Sequence, residues 1–250
     1  IDFVTKPGNV IEAKGEDFKK QLLSVLTAVY NTQLYKRTTP DTFKPAGVAK
    51  HIRPVRTDRK LVALACSTGG PKALQSVIPY LPKNLDAPVV LVQHMPAGFT
   101  KSMADRLNEL SEVSVKEAEE GDVLEKGHVY VAPGGMHMEV VKAHGNTHRI
   151  KLDDLPPIGG LRPCANIMFD SLAKTDYDEI ICIVLTGMGA DGTNGILSLN
   201  RTKPIHVIAQ DAQTCVVYGM PRAIAEAGMV DEVVPLTAVA KTIIKNVGVK

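Results

Sequence analysis

Three positions in this chain offer a hydroxyl, an imidazole and a carboxylate, each just behind an apolar run and inside a turn of small residues. Ser67 opens Ser67-Thr-Gly-Gly70 after Leu61-Val-Ala-Leu-Ala-Cys66, and His94 lies in Gln93-His-Met-Pro-Ala-Gly98 after Pro88-Val-Val-Leu-Val92. Asp191 stands near the end of Thr186-Gly-Met-Gly-Ala-Asp-Gly192, after Ile180-Ile-Cys-Ile-Val-Leu185. A nucleophile, a base and an orienting carboxylate are the parts of a serine hydrolase. The ordinary imidazole pKa of ~6.5 suits a general base near neutral pH. Each residue also has a plainer reading. A Ser-Thr-Gly-Gly turn ahead of a helix opened by Pro71 would cradle an anion such as phosphate equally well. A lone histidine at a strand end is often structural, and Asp191 could serve only as the N-cap of the helix that follows it. Ala65 stands where the Gly-x-Ser-x-Gly elbow would have its first glycine. The order Ser, His, Asp matches neither the common protease orders nor that of the α/β-hydrolases, but geometry rather than order defines a triad.

What must position these residues follows from the runs themselves. Continuous β-branched stretches bounded by Gly and Pro read as strands buried on both faces of a parallel sheet. The loops after such strands share one edge, where α/β proteins place their ligands. From Lys60 onward, strand and helix patterns alternate. Helices are expected over 71–80, 99–110, 163–174, 192–200, 221–227 and 236–247. Besides the three runs, strands are expected over 114–118, 128–132, 138–142, 149–152, 206–209 and 232–234, with a hairpin turn at His144-Gly-Asn146. The fold class is therefore α/β: a doubly wound, mostly parallel sheet with helices on both faces and an antiparallel hairpin insertion. His137, in Pro133-Gly-Gly-Met-His137, is the other histidine whose placement brings it toward the same rim. Asn200 stands where a helix-ending glycine is expected, and Asn is the next-best left-handed residue.

Composition narrows the classes. The chain has 250 residues, 44% of them hydrophobic, and a formal charge of +2. That is enough for a real core, with no global pull toward nucleic acid or a membrane surface. No apolar run approaches the ~20 residues of a membrane span. Cys66, Cys164, Cys182 and Cys215 show no Cys-x-x-Cys spacing, which argues against a zinc site or a disulfide framework and fits a reducing cytoplasm. Neither metal nor cofactor is expected. Near the N-terminus, residues 1–6 read as a lone strand. Phe18, Leu22, Val25, Leu26, Val29 and Tyr30 make one apolar helical face between Asp17 and about Tyr35. Residues 36–60, broken by Pro40, Pro45 and Pro54 and rich in Lys and Arg, read as a linker. No signal peptide is visible, although the chain begins at Ile1 rather than Met.

Longer motifs carry a family resemblance. Ala65-Cys-Ser-Thr-Gly-Gly70, Gln93-His-Met-Pro-Ala-Gly-Phe-Thr100, Ala132-Pro-Gly-Gly-Met-His-Met138, Leu185-Thr-Gly-Met-Gly-Ala-Asp-Gly192, Ala209-Gln-Asp211 and Tyr218-Gly-Met-Pro-Arg222 together resemble the chemotaxis protein-glutamate methylesterase (CheB) family. The resemblance runs in order over roughly residues 60–247. It implies that Ser67, His94 and Asp191 form the triad. It also implies that Thr68 and Met188 lie at the active site, Met188 offering a main-chain N–H to the oxyanion. The implied reaction is hydrolysis of glutamate γ-methyl esters on methyl-accepting chemotaxis receptors, releasing methanol, with accessory glutamine deamidation.

Asp2-Phe-Val-Thr-Lys-Pro7 resembles the last strand and Lys-Pro turn of a response-regulator receiver domain. The implied organisation is a receiver remnant at 1–14, an interdomain helix and basic linker at 15–59, and a catalytic domain at 60–250. The phosphate-accepting aspartate would lie upstream. Receptors are then the protein substrate, a histidine kinase acts through the receiver, and neither nucleic acid nor membrane insertion is involved. Cys164, Asn166 and Cys215 stand where the family pattern leads one to expect Ser, Asp and Ser, and none of the three is expected to touch the triad. A phosphate-binding module or a purely regulatory binding module would keep the same fold without ester turnover.

Overall fold

The computed structural model describes Leu23 and residues 59–249. The strand expected at 1–6, the apolar helical face between residues 17 and 35 and the linker up to residue 58 fall outside the described residues. Leu23 alone is described there, as helical and exposed. From Lys60 the alternation read from the sequence is present. The strands are β1 (Lys60–Cys66), β2 (Val89–Gln93), β3 (Ser114–Glu117), β4 (His128–Val131), β5 (His137–Lys142), β6 (His148–Asp153), β7 (Glu179–Val184), β8 (Ile205–Gln210) and β9 (Glu232–Val234). The helices are α1 (Gly70–Gln75), α2 (Phe99–Leu110), α3 (Ala165–Ser171), α4 (Thr193–Asn200), α5 (Met220–Glu226) and α6 (Val239–Val247).

Three helices expected as single pieces are each split into an α-helix and a 3₁₀ turn. After α1 the cause is Pro79. A residue ahead of proline is disfavoured in the α region, and Pro has no N–H with which to continue the ladder. Asn200 is not left-handed. It sits in the last turn of α4, and all positive-φ residues among those described are glycines.

Seven strands form one parallel sheet in the order β3-β4-β2-β1-β7-β8-β9, and β5-β6 is a separate antiparallel hairpin. Successive residues of β1 feed two different cores. Val62, Leu64 and Cys66 join the one closed by α1, α2 and α6. Leu61, Ala63 and Ala65 join the one closed by α3, α4, α5 and the hairpin. Each fully buried Leu here is worth roughly 1.5–3 kcal/mol relative to exposure, which is why the run is apolar without alternation.

The strand order also sets the site. From β1 the chain adds β2 on one side, and later returns to lay β7 on the other side of β1. The reversal lies between β1 and β7, and ligands of open α/β sheets bind outside the carboxyl ends of the strands at such a point.

Candidate active site

Strand register alone brings Ser67, His94 and the Thr186 turn side by side. Cys66 pairs with Gln93 across β1 and β2, so the next residues, Ser67 and His94, leave the sheet together. The His94 N–H still reaches the Cys66 carbonyl at 3.2 Å. On the other flank the Ser67 N–H bonds the Thr186 carbonyl at 3.0 Å. A Cβ at Gly187 would lie 2.9 Å from the Ser67 Cβ and 2.4 Å from Met220 Sδ, so only glycine lets the β7 turn approach the serine this closely. Gly69, with φ of 83°, turns the chain from Ser67 into α1, and a Cβ there would collide with Val216 at 2.6 Å.

His94 and Asp191 form a buried pair. His94 Nε2 lies 2.8 Å from Asp191 Oδ2, and the two side chains are 8% and 5% exposed. A carboxylate can only accept, so Nε2 carries the proton and Nδ1 keeps the lone pair. The familiar protease arrangement places the aspartate on Nδ1 and uses Nε2 as base; here the aspartate is on Nε2, and Nδ1 is the ring nitrogen left open. No hydrogen bond joins the imidazole to Ser67 Oγ in this conformation. Such contacts often tighten only when substrate is bound.

Asp191 is the better supported member of the pair. Besides His94, it receives the Ala165 N–H at 2.6 Å and the Asn166 N–H at 3.1 Å. It also receives the Gly192 N–H at 2.9 Å and the Cys164 thiol at 3.2 Å. Burial raises a carboxyl's pKa, but the His94 bond and the Ala165 N–H outweigh it, and Asp191 is held below the ordinary carboxylate range. Magnitudes agree. Burying the ion costs several kcal/mol, while each hydrogen bond to a charged group returns about 1.5–3 kcal/mol. Asp191 does not cap its own helix, whose N-cap is Gly192 with no side-chain bond. It instead accepts the first N–H groups of α3, a helix from elsewhere in the chain.

The structure corrects one expectation. Cys164 and Asn166 do touch the triad positions, through Asp191, because the extended backbone at Cys164 turns the start of α3 onto that carboxylate. Burial, followed by the Asp191 charge and hydrogen bond, pushes the Cys164 thiol up to about 11, so it stays a donor. Cys215 does not reach the triad. Burial, followed by the Asp211 charge, raises its thiol to about 12. His137 is wholly buried. Its Nε2 faces the Pro156 carbonyl at 3.3 Å, and its Nδ1 has no partner.

Thr68 is buried behind the serine, and its carbonyl accepts the Thr186 hydroxyl at 3.0 Å. Met188 is half exposed at the rim, and its main-chain N–H makes no hydrogen bond among the described residues.

Two supporting residues escape a reading by motif. Gln93 is buried and donates from Nε2 to the carbonyls of Ser67 at 3.1 Å and His94 at 2.9 Å, tying the first two turns together. Thr186 Oγ1 does the same for a third loop, accepting the N–H groups of Val216 and Val217. A polar side chain closing an otherwise apolar strand was the available signal for Gln93. No group of His, Cys, Asp and Glu among the described residues is arranged to hold a metal ion.

The family model described as CheB methylesterase matches residues 62–243. The chain is 40% identical over 248 residues to the protein-glutamate methylesterase/protein-glutamine glutaminase of Geobacillus kaustophilus, covering 99% of this chain and 71% of that one. It is also 40% identical over 251 residues to the protein of that name from Bacillus subtilis, covering 97% of this chain and 70% of that one. The crystal structure of the Thermotoga maritima CheB methylesterase catalytic domain superposes with a TM-score of 0.71 at 44% identity, covering 75% of this chain and 98% of that one. With the match spanning the sheet and all three turns, the chain belongs to the CheB methylesterase family.

Proposed function

We propose that Ser67, His94 and Asp191 carry out the hydrolysis of glutamate γ-methyl esters on methyl-accepting chemotaxis receptors, the protein being a protein-glutamate methylesterase. The single observation that carries the residue assignment is the buried His94–Asp191 pair, 2.8 Å apart, at the end of the strand beside Ser67. A phosphate cradle has no use for an imidazole held in one tautomer by a buried carboxylate.

Ser67 Oγ attacks the ester carbonyl carbon and gives its proton to His94 Nδ1, the nitrogen that Asp191 leaves open. The carbonyl oxygen becomes an oxyanion, stabilised by the Met188 N–H and the turn at Thr68. As the intermediate collapses, the imidazolium returns the proton to the leaving methoxide, and methanol departs. Water then attacks the acyl-enzyme, loses a proton to Nδ1, and the glutamate carboxylate leaves with Ser67 restored. Asp191 holds the ring and offsets the charge of the imidazolium, which forms twice per turnover. The same steps act on a glutamine amide with ammonia as the leaving group, which departs less readily. The residues present complete this cycle with no added cofactor.

The assignment is tested by reacting the protein with a serine-directed fluorophosphonate and mapping the adduct. A single adduct at Ser67 is expected, and labelling elsewhere with Ser67 untouched overturns it.

The same reading makes residues 60–250 the catalytic unit in the cytoplasm, with 15–59 connecting it to receiver-type sequence at 1–14 through which a histidine kinase acts. A protein made of residues 60–250 should release methanol from methylated receptor membranes at the rate of the 250-residue chain or faster. Loss of activity on that truncation would place part of the catalytic unit in residues 1–59.

A further inference from the structure

Asp191 is gripped between the starts of two helices, and one residue ties both of them. The Asn166 main-chain N–H donates to Asp191 Oδ1 at 3.1 Å. Its side-chain oxygen accepts the N–H of Gly192, the N-cap of α4, at 3.0 Å and of Gly195, in its first turn, at 2.8 Å. The Gly192 N–H is shared, since it also points to Asp191 Oδ1 at 2.9 Å. The amide oxygen of Asn166 and the carboxylate oxygen of Asp191 therefore sit on either side of a single proton. The two helices meet backbone to backbone here. A Cβ on Gly195 would stand 2.7 Å from the Asn166 carbonyl oxygen and 2.8 Å from Phe169 Cβ.

We propose that Asn166 is a positioning residue for ester hydrolysis: it locks the turn carrying Asp191 against α3, so that the carboxylate meets His94, and does so with a neutral group. The inference rests on the triad assignment above.

Two physical consequences make it specific. An alanine here would leave the Gly192 and Gly195 N–H groups without that acceptor, and the turn bearing Asp191 would loosen. An aspartate would satisfy both N–H groups, yet would set a second negative charge beside Asp191. Like charges at this range raise each other's pKa and favour a nearby cation, so His94 would hold its proton to higher pH. The titratable groups facing Asp191 are His94, from the β2 turn, and the Cys164 thiol, from the start of α3. The first residues of α4, Thr193 and Asn194, carry no titratable group. A shifted profile is therefore traceable to the new carboxylate.

The experiment measures methanol release from methylated receptor membranes against pH for the wild type, Asn166→Ala and Asn166→Asp, with Ser67→Ala as reference. Asn166→Ala is expected to lose tenfold or more in kcat, since small misplacements at a reacting centre cost up to about a hundredfold. Asn166→Asp should retain more of kcat than the alanine variant, with the acid limb of its profile moved up by about one pH unit. Wild-type kcat in Asn166→Ala, or an acid limb in Asn166→Asp coincident with the wild type, overturns the proposal. If the alanine variant fails to fold, the acid limb of Asn166→Asp decides alone. If Ser67→Ala is as fast as the wild type, the triad assignment falls. If Ser67→Ala is inactive while both Asn166 variants match the wild type, only the role given to Asn166 falls.

Discussion

The same sheet carries a histidine–carboxylate pair at each of its two edges. At the carboxyl ends of the strands, His94 Nε2 meets Asp191 at 2.8 Å; at the opposite edge, His206 Nε2 meets Glu232 at 2.9 Å. The hydrogen bonds are nearly equal in length, but their surroundings are not. Asp191 is buried and held by main-chain N–H groups from two helix starts, whereas Glu232 is about a quarter exposed and surrounded by Asn246 and Lys245 side chains. Both carboxyls are held below their ordinary range, for different reasons. For Glu232 the Asn246 and His206 hydrogen bonds lead, and burial follows in the opposite sense. For Asp191 burial is the largest influence and is overcome. Burial and fixed orientation beside Ser67, rather than bond length, separate the pair proposed as catalytic from the one at the opposite edge.

The comparison breaks most visibly if both edges respond alike to losing a partner. Ser67→Ala and His94→Ala are each expected to lower methanol release by several orders of magnitude while leaving the fold intact, because triad members act as a unit. Retention of a tenth of wild-type activity in either variant would remove the assignment.

The contrast between the edges was only half readable in the chain. The apolar runs at 61–66, 88–92 and 180–185 announce a parallel sheet because being buried on both faces removes alternation. A parallel sheet necessarily gathers Ser67, His94 and Asp191 on one rim. What supports Asp191 was hidden, because Ala165 and Asn166 act through main-chain N–H groups that every residue type possesses. Their contact with Asp191 depends on how α3 crosses α4, an approach set by Gly195 and Phe169 packing rather than by any local pattern. Gln93 was half visible: a polar residue closing an apolar strand marks the position, but the two carbonyls that its side chain ties together leave no mark on the sequence. The split after α1 was missed because the periodicity continues through Pro79 while the hydrogen bonding does not.

A finer test removes the charge of Asp191 and keeps its shape. Asp191→Asn can still touch His94 but favours the wrong ring tautomer and gives nothing to the imidazolium. In a protease triad such a change costs ~10⁴ in turnover, and a loss of about 10²–10⁴ is expected here. Stability should follow with a definite sign. Because the folded pKa of Asp191 is depressed, its charge stabilises the fold in full above the unfolded value of about 3.9, and that contribution fades as pH falls through the lower folded value. The thermal-melt gap between the wild type and Asp191→Asn should therefore narrow as pH falls below about 4. A gap that stays constant well below about pH 4 would mean that the Asp191 charge does not carry the linkage.

An intermediate effect is expected at Gln93, whose buried amide joins the two turns. Gln93→Ala leaves the Ser67 and His94 carbonyls short of a donor in a buried setting, a loss of about 1–3 kcal/mol of stability. Methanol release should fall roughly tenfold as the serine and histidine turns drift relative to one another. If stability falls while kcat is untouched, Gln93 is a structural fastener only, and the register of β1 and β2 suffices to align the two turns.

The smallest effect should come from the other edge, and it sharpens the comparison. Glu232→Gln removes the nearer of two carboxylates facing His206, the other being Asp231 at 3.9 Å, while keeping an amide that can still bond Asn246. Exposed pairs of this kind are typically worth about 1 kcal/mol or less, so the variant should melt within a few degrees of the wild type and release methanol at an unchanged rate. The sign with pH parallels that of Asp191. The depressed pKa of Glu232 makes its small contribution full above the unfolded value of about 4.3 and lost below the folded one. Unlike the buried pair, it should also weaken in salt, because its partners lie within reach of screening ions. Melting both variants with and without 1 M salt separates the two edges. The Asp191→Asn gap should barely change, while the Glu232→Gln gap should close. A salt-sensitive gap at Asp191 would mean that solvent reaches the pair, and the dry, prearranged carboxylate on which the proposed mechanism depends would not exist.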